Sequence, residues 1–270
     1  MKKTILIILA ILFIFLFAFN AAFKSIIFDI FGLNTTKQTS TLDKGKITHK
    51  VAILADSHLD YQRLKKSLDK AKKENVNFVL HLGDLSDFGG FTELKETKKI
   101  LDDSNINYLV IPGDRDVVEG GNNFKDLFAD KQCFNQLLKE YKILCFANPY
   151  NYTLLDKDYI DKFISYLPNA KIVVMSQPIY NPNSNLYMGY FSERVKNQAD
   201  LVYKNILNFN IPYVVSGDTH YFKYYYDSLH NINYYNVGAV TDKRNLQSPN
   251  FSILTIYSSG FVEVNQKYID

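Results

Sequence analysis

The sequence predicts a mixed α/β domain behind an apolar amino-terminal segment. Three observations carry this. Short apolar runs alternate with amphipathic ones from residue 47 onward, several of those runs stop on Gly, Asp or His, and the stretch 221–268 turns into closely spaced β-rich runs with turn residues between them. With 270 residues, 47% hydrophobic and 15% aromatic, the chain has enough apolar surface for one full core and has no need to be disordered.

At the amino terminus, Lys2 and Lys3 precede an apolar stretch from Ile5 to Phe19 that resumes after Asn20 with Ala21, Ala22 and Phe23. About 20 such residues cross a bilayer as a helix. No small-x-small cleavage pattern and no lipobox cysteine follows. Residues 1–33 are therefore expected to remain as a transmembrane anchor, with secretion after signal cleavage as the alternative. The paired lysines place the amino terminus inside and the domain outside the cytoplasm. The run has no polar face, which argues against a buried globular helix. Residues 34–46, NTTKQTSTLDKGK, are polar and aperiodic and read as a linker, leaving 47–270 as the folded domain.

The net charge is +3, of which Lys2, Lys3 and Lys24 less Asp29 supply +2 and the rest of the chain +1. So nearly neutral a balance argues against a binder of the phosphate backbone, which needs a basic face or stripe, and no specific nucleic-acid binding is expected. Its two cysteines, Cys133 and Cys145, flank what reads as one helix and the start of a strand. One bridge in an oxidising compartment is open to them; the expected state is two small buried hydrophobes.

Element by element, ITHKVAILAD (47–56) is a strand, and Leu64, Leu68 and Ala71 then recur at helical spacing through RLKKSLDKAKKEN. VNFVLHLGD (76–84) is a second strand, FTELKETKKILDD (91–103) a helix, and INYLVIPGD (106–114) a third strand. The pattern loosens and resumes with Tyr159, Ile160, Phe163, Ile164 and Leu167, a helix that stops at Pro168. KIVVMSQP (171–178) is a strand, Val195, Ala199, Val202 and Ile206 mark a helix, and IPYVVSGDTH (211–220) is a strand. Such alternation implies parallel pairing with helices over the faces. The tail strands YFKYYYDSL, INYYNVGAV, FSILTIYSS and FVEVNQKY are expected to be antiparallel, with tyrosines alternating between core and solvent. VEGGNNFKDLF (118–128) and YNPNSNLYMGYF (180–191) read as loops beyond the strand ends, where specificity would be set.

Ligands on parallel sheets bind beyond the carboxyl ends of the strands. Here those ends carry Asp56-Ser57-His58, Gly83-Asp84 with Asp87 close behind, Gly113-Asp114-Arg115-Asp116, Ser176-Gln177-Pro178 and Gly217-Asp218-Thr219-His220. Each fragment alone is explained as a cap or a turn. Their joint occurrence in register is what points to a site. Carboxylates and imidazoles converging on one point repel or lose solvation unless a cation is present, and divalent ions accept such ligands. His81 precedes Gly83-Asp84 and is explained equally by strand packing, while His49 and His230 have no partner in the pattern.

In order and spacing these fragments resemble the calcineurin-like metallophosphoesterases, whose pattern is D-x-H, G-D-x-x-D, G-N-H-D or G-N-H-E, H-x-P and G-H-x-H. The resemblance runs from about residue 47 to the end. It implies a two-sheet β-sandwich flanked by helices, and hydrolysis of a phosphomonoester or phosphodiester by a hydroxide generated at two metal ions. It also implies a first metal held by Asp56, His58 and His220, with Asp84 bridging. The second half departs from the pattern: Asp114 stands for the Asn, Asp218 for the first His of G-H-x-H, and Ser176 for the His of H-x-P. Asp84, Asp114 and Asp218 would give three carboxylates around a second ion, with Ser176 and Asp87 as further contacts to that ion or to substrate. An oxygen-rich shell favours Mn²⁺ or Mg²⁺, with Fe or Zn as alternatives.

Arg115 stands where the family has a catalytic His. Arginine stays protonated and cannot act as a general acid. It can clamp a phosphoryl oxygen with Asp116 holding its fork, or it can fill the vacated place as an ion pair with Asp116 or Asp114. Two functions follow from the resemblance. One is a membrane-tethered, metal-dependent phosphoesterase acting on a phosphorylated small molecule or ester. The other is a scaffold that keeps the fold and binds a metal, a phosphorylated ligand or a partner protein without turnover.

Overall fold

The computed structural model describes residues 43–182 and 184–270. The expected membrane anchor and most of the linker lie outside them. Among the described residues no helix is long and apolar enough to cross a membrane. The chain from Lys44 onward forms one compact unit. Lys44 is ion-paired with Glu263, and Lys46 N donates to Ser258 Oγ at 3.0 Å, so the last residues of the expected linker already belong to it.

Two mixed sheets face each other. The first has the order β11 (Val262–Tyr268), β10 (Asn250–Tyr257), β1 (Ile47–Leu54), β2 (Phe78–His81) and β3 (Tyr108–Val110). The second has the order β4 (Leu137–Leu138), β5 (Ile143–Phe146), β6 (Ile172–Met175), β7 (Tyr213–Ser216), β9 (Ile232–Asn236) and β8 (Lys223–Asp227). Strands β1, β2 and β3 run parallel, as do β5, β6, β7 and β9.

Both faces of each sheet are apolar, which is why these strands read as near-continuous hydrophobic runs. Val51, Ile53 and Ala55 of the first strand and its extension meet Leu80, Val174 and Val215 between the sheets. Ala52 and Leu54 point the other way, against Leu64 and Leu68 of α1 (Tyr61–Lys73) and Leu94 and Leu101 of α2 (Phe91–Asp103). Val173, Met175 and Val214 of the second sheet pack on Phe163 of α4 (Lys157–Tyr166) and on Val195, Val202 and Ile206 of α5 (Glu193–Asn208). The layers are therefore helix, sheet, sheet, helix. Each fully buried Leu, Val or Phe contributes about 1.5–3 kcal/mol relative to exposure. Helix α1 starts sharply because the Asp60 side chain accepts from Arg63 N at 3.1 Å, just past the first strand end.

Four expectations change. The loop 118–128 contains a short helix, α3 (Asn122–Leu127), which buries Phe124. The tail is not wholly antiparallel: β8 and β9 form an antiparallel hairpin, but β9 docks beside β7 and runs parallel to it, leaving β8 on the edge. Within that hairpin the tyrosines alternate as expected, Tyr224 and Tyr226 exposed and Tyr234 buried. No helix separates the two cysteines; residues 137–138 form β4, which pairs back onto β5. Finally, Cys133 and Cys145 are a disulfide and not two free thiols. Cys133 N donates to Val110 O at 2.9 Å, extending the first sheet beside β3, while Cys145 lies on β5 of the second. The bridge, with Cα atoms 5.7 Å apart, ties the two sheets across the buried space between them.

Closing so short a loop removes conformational freedom from the unfolded chain, so the Cys133→Ala/Cys145→Ala double variant is expected to lose about 2–4 kcal/mol of stability. Urea unfolding of that variant, and of the parent with and without dithiothreitol, measures it; superimposable curves would contradict the cross-sheet role.

Candidate metal centre

The parallel register of β1 and β2 pairs Leu54 with His81, so the segments that follow leave the sheet side by side. Asp56 N donates to Gly83 O at 3.0 Å, and Ser57 N and His58 N both donate to Asp84 O, at 2.9 and 3.0 Å. The third loop joins through glycine. A Cβ on Gly113 would sit 2.0 Å from Asp84 Oδ1 and 2.4 Å from Asp84 N, so only glycine lets the turns after β2 and β3 touch. From the second sheet, Gly217 N donates to Ser176 O at 3.1 Å, which brings Asp218 and His220 to the same edge.

Backbone strain collects at this rim. Asp56, His58, Asp84, Asp218 and His220 all have left-handed φ angles, of 53°, 42°, 55°, 67° and 52°. Such conformations are costly for side-chain-bearing residues and persist where the surrounding structure holds them.

Two groups of ligand atoms result, each within 4.8 Å across: Asp56, His58, Asp84 and His220, and Asp84, Asp114 and Asp218. In the first, His58 Nε2 and His220 Nε2 face each other at 3.0 Å. His220 Nδ1 lies 2.8 Å from the carbonyl of Lys243, which can only accept, and His58 Nδ1 lies 3.0 Å from Asp87 Oδ1. Both ring protons are thus engaged at Nδ1, and two lone pairs meet with no proton between them. Asp84 Oδ2 is 3.5 Å from His58 Nε2, Asp56 Oδ1 is 3.8 Å from His220 Nε2, and Asp56 Oδ2 is buried without a hydrogen-bond partner. A divalent cation satisfies every one of these atoms, so the residues present fit such an ion.

Electrostatics agree. Burial, reinforced by Asp218, holds the Asp56 carboxyl well above its ordinary range, and burial with Asp56 and Asp114 does the same to Asp84. Burial and then Asp114 push Asp218 up to about 7. Burial and then His220 push His58 down to about 4, and burial also lowers His220. In the metal-free chain the carboxyls are short of positive charge and the imidazoles are neutral, the state a metal ligand needs.

In the second group, Arg115 N donates to Asp84 Oδ1 at 3.1 Å and Asn151 Nδ2 to Asp114 Oδ2 at 3.0 Å. This group opens into a cleft of about 450 Å³, whose walls include Arg115, Gln177, Tyr187 and Arg244.

The calcineurin-like phosphoesterase family profile matches residues 49–222, more than half of the chain. The chain belongs to that family. No curated protein matches it by sequence. Solved structures of similar fold include a dimetal phosphatase from Danio rerio, 11% identical, covering 83% of this chain and 100% of that one with a TM-score of 0.60. The protein TT1561 of Thermus thermophilus is 12% identical over 83% and 100%, with a TM-score of 0.57. GAP50, the anchor in the inner membrane complex of Plasmodium, is 13% identical over 83% and 86%, with a TM-score of 0.58. At such identities the likeness is one of fold.

Within this phosphoesterase fold the six expected metal ligands Asp56, His58, Asp84, Asp114, Asp218 and His220 come together. Three other expected site residues do not reach the ligand groups. Asp116 does not hold the fork of Arg115. It is buried and accepts from Leu85 N at 3.2 Å, Ser86 N at 2.9 Å, Ser86 Oγ at 2.7 Å and Gly113 N at 3.0 Å, so it laces two loops together; Arg115 instead meets Asp114 at 3.7 Å through Nε. Ser176 turns toward Asn148, donating to its Oδ1 at 3.1 Å and accepting from its N at 3.0 Å. A hydroxyl is too short to replace an imidazole and finds its partner nearer the backbone. Asp87 lies behind His58, between its Nδ1 and Lys243 Nζ at 2.9 Å, and orients the ring.

Outside the site, His49 faces Glu140 at 3.2 Å and His230 faces Asp227 at 2.7 Å, partners that the sequence pattern did not indicate. His81 is fully buried, with Gly83 N donating to its Nδ1 at 3.3 Å. Asn151, Gln177 and Arg244 on the cleft wall, Lys243 behind His58 and the buried Asn148 beside Ser176 were missed. Gln177 stood beside a recognised motif residue; the others lie in segments with no strand-end signature.

Two outcomes follow. Replacing Asp116 by Ala strands several buried N–H donors and is expected to cost about 3 kcal/mol or more in urea unfolding; full stability with impaired phosphate binding would restore an orienting role. The second concerns pH. The raised Asp218 carboxyl stabilises the metal-free fold below its unfolded value and loses that contribution as pH climbs toward about 7, Asp56 and Asp84 act in the same direction, and His58 and His220 cost stability as pH falls below about 6.5. These slopes oppose each other, but ion binding must expel only the carboxyl protons. The rise in melting temperature caused by Mn²⁺ is therefore expected to grow from about pH 5 to about pH 8 and to depend less on pH in Asp218→Asn. Thermal unfolding with EDTA or Mn²⁺ reads this directly.

Proposed function

We propose that the chain is a metal-dependent phosphoester hydrolase acting on a phosphorylated small molecule, as monoester or diester. The observation that carries this is the pair of ligand groups sharing Asp84 at the floor of an open cleft. Asp56, His58, Asp84 and His220 would hold one divalent ion, and Asp84, Asp114 and Asp218 the other, with Mn²⁺ or Mg²⁺ suited to the carboxylate-rich set. Such ions supply Lewis acidity and a water nucleophilic near neutral pH.

The chain's own residues do the rest. Asp87 and the Lys243 carbonyl hold the two imidazoles with Nε2 toward the site. Arg115 meets Asp114 only through Nε, so both terminal NH₂ groups of its guanidinium remain for phosphoryl oxygens. Being always charged, it stabilises negative charge and donates no proton, which favours substrates with good leaving groups.

Lys2, Lys3 and the apolar stretch behind them support a domain anchored to the membrane and held outside the cytoplasm. The Cys133–Cys145 bridge supports the same compartment, because disulfides persist in oxidising surroundings. A near-neutral domain supports a substrate other than nucleic acid. Arg115 in place of an imidazole favours the second reading, a binding scaffold without turnover. The acids retained at both substituted ligand positions, Asp114 and Asp218, favour catalysis.

The deciding experiment uses the full chain in detergent, stripped of metal, then given Mn²⁺ or Mg²⁺ with aryl phosphomonoester and phosphodiester substrates. Metal-dependent hydrolysis is expected, with a loss of about 100-fold in Asp84→Asn and a fall in kcat/KM of about 10²-fold in Arg115→Ala. No turnover with any ion, in protein that binds metal, would establish the scaffold.

A further inference from the structure

Beside the main cleft lies a smaller one of about 200 Å³, lined by His58, Asp87, Phe88, Arg115, Lys243 and Arg244. Arg115 and Arg244 line both spaces, so the two share a wall of guanidinium groups. Three cationic side chains surround a single carboxylate there, and that carboxylate is taken: Asp87 is held by Lys243 Nζ at 2.9 Å and by the His58 ring at 3.0 Å. Lys243 also donates to His58 O at 2.8 Å. The arginines are not engaged in this way. Arg244 has no hydrogen bond or ion pair among the described residues, and the guanidinium of Arg115, whose backbone N bonds Asp84, has only its 3.7 Å contact with Asp114.

Arg244 is also held in place relative to the metal centre. It sits in a turn with a left-handed φ of 55°. Thr241 N, at the start of that turn, donates to Asp56 O at 3.2 Å; Lys243 N donates to Thr241 Oγ1 at 3.2 Å, and Asn245 Nδ2 to Thr241 O at 2.9 Å. Clustered like charges with unused planar donors, fixed on a braced turn, suit a carboxylate or phosphate bound through two parallel hydrogen bonds. The ligand set gives the reason such charge is needed. Four carboxylates, Asp56, Asp84, Asp114 and Asp218, would offset the charge of two divalent ions held there, which would leave attraction for an anionic substrate to the flanking cations.

We infer that this pocket is an anion subsite, and that the substrate carries a second anionic group, phosphate or carboxylate, next to the phosphoester at the metal centre. The inference rests on the phosphoesterase reading of that centre.

The test is calorimetric binding to the full chain in detergent, saturated with Mn²⁺, of four ligands that are not hydrolysed. Methylphosphonate is the reference, phosphonoacetate and 3-phosphonopropionate carry an added carboxylate, and methylenediphosphonate carries a second phosphonate. At least one of the three bifunctional ligands is expected to bind about 10-fold tighter than methylphosphonate, with Arg244→Ala bringing that ratio close to one and Arg244→Lys restoring part of it. The arm that shows the gain names the anion, and chelation of Mn²⁺ in solution is the same for parent and variant. Equal binding of all four ligands, or a ratio that survives Arg244→Ala, would overturn the subsite. If Mn²⁺ does not improve methylphosphonate binding, the phosphoesterase reading fails instead. The pocket is then judged by Arg244→Ala with the bifunctional ligands alone: a loss of about 10-fold upholds it and no change overturns it.

Discussion

His58 Nε2 and His220 Nε2 face each other at 3.0 Å while both of their Nδ1 protons are committed elsewhere, and buried carboxyls crowd the same few ångströms. Left to themselves these groups repel, lose solvation and take up or shed protons to survive. Everything around them resists the escape. The rings are locked from behind by Asp87 and the Lys243 carbonyl, the strand ends are cross-bonded through Asp56, Gly83 and Asp84, and five residues of the two groups are kept in left-handed backbone. Such an arrangement is stable where a cation completes it and where the scaffold is too rigid to relax.

The rigidity comes from the layers. Two sheets with apolar inner faces bury one core between them, and helices cover the outer faces, so the five strands that end at the site cannot shift independently. Asp116 and the disulfide add fastenings at points where hydrophobic packing gives no direction. Asp116 gathers donors from the turns after β2 and β3, and Cys133–Cys145 spans the gap between the sheets. Neither touches the proposed chemistry. Asp116 holds two of the loops that do, and the disulfide holds the sheets beneath them.

Within the family's architecture this chain has moved charge. Carboxylates occupy two ligand positions where the family pattern has neutral groups, and a guanidinium occupies the position of an imidazole. The added carboxylates Asp114 and Asp218 share the cleft wall with two cations, Arg115 beside Asp114 and Arg244. Carboxylate-rich groups of this kind suit hard divalent ions, and guanidinium groups beside them suit anions.

Alternating apolar runs, strand ends closed by Asp and His, and glycines ahead of Asp84 and Asp114 were enough to state the fold and to collect the six residues that converge at the strand ends. These are local features, set by periodicity along the chain and by the close approach that only glycine permits at Gly113. What the tertiary structure decided was direction and distant partnership. Asp116 points into the loops instead of at its neighbour Arg115, Ser176 turns to Asn148, and Asp87 serves His58 from behind. Lys243 reaches the carbonyl of His58 across 185 positions of sequence, and Cys133 meets Cys145 because the chain crosses between sheets within 12 residues. Side-chain orientation depends on which rotamer the packing allows, and contacts across sheets depend on how separate elements stack. Neither leaves a periodic trace in the order of residues.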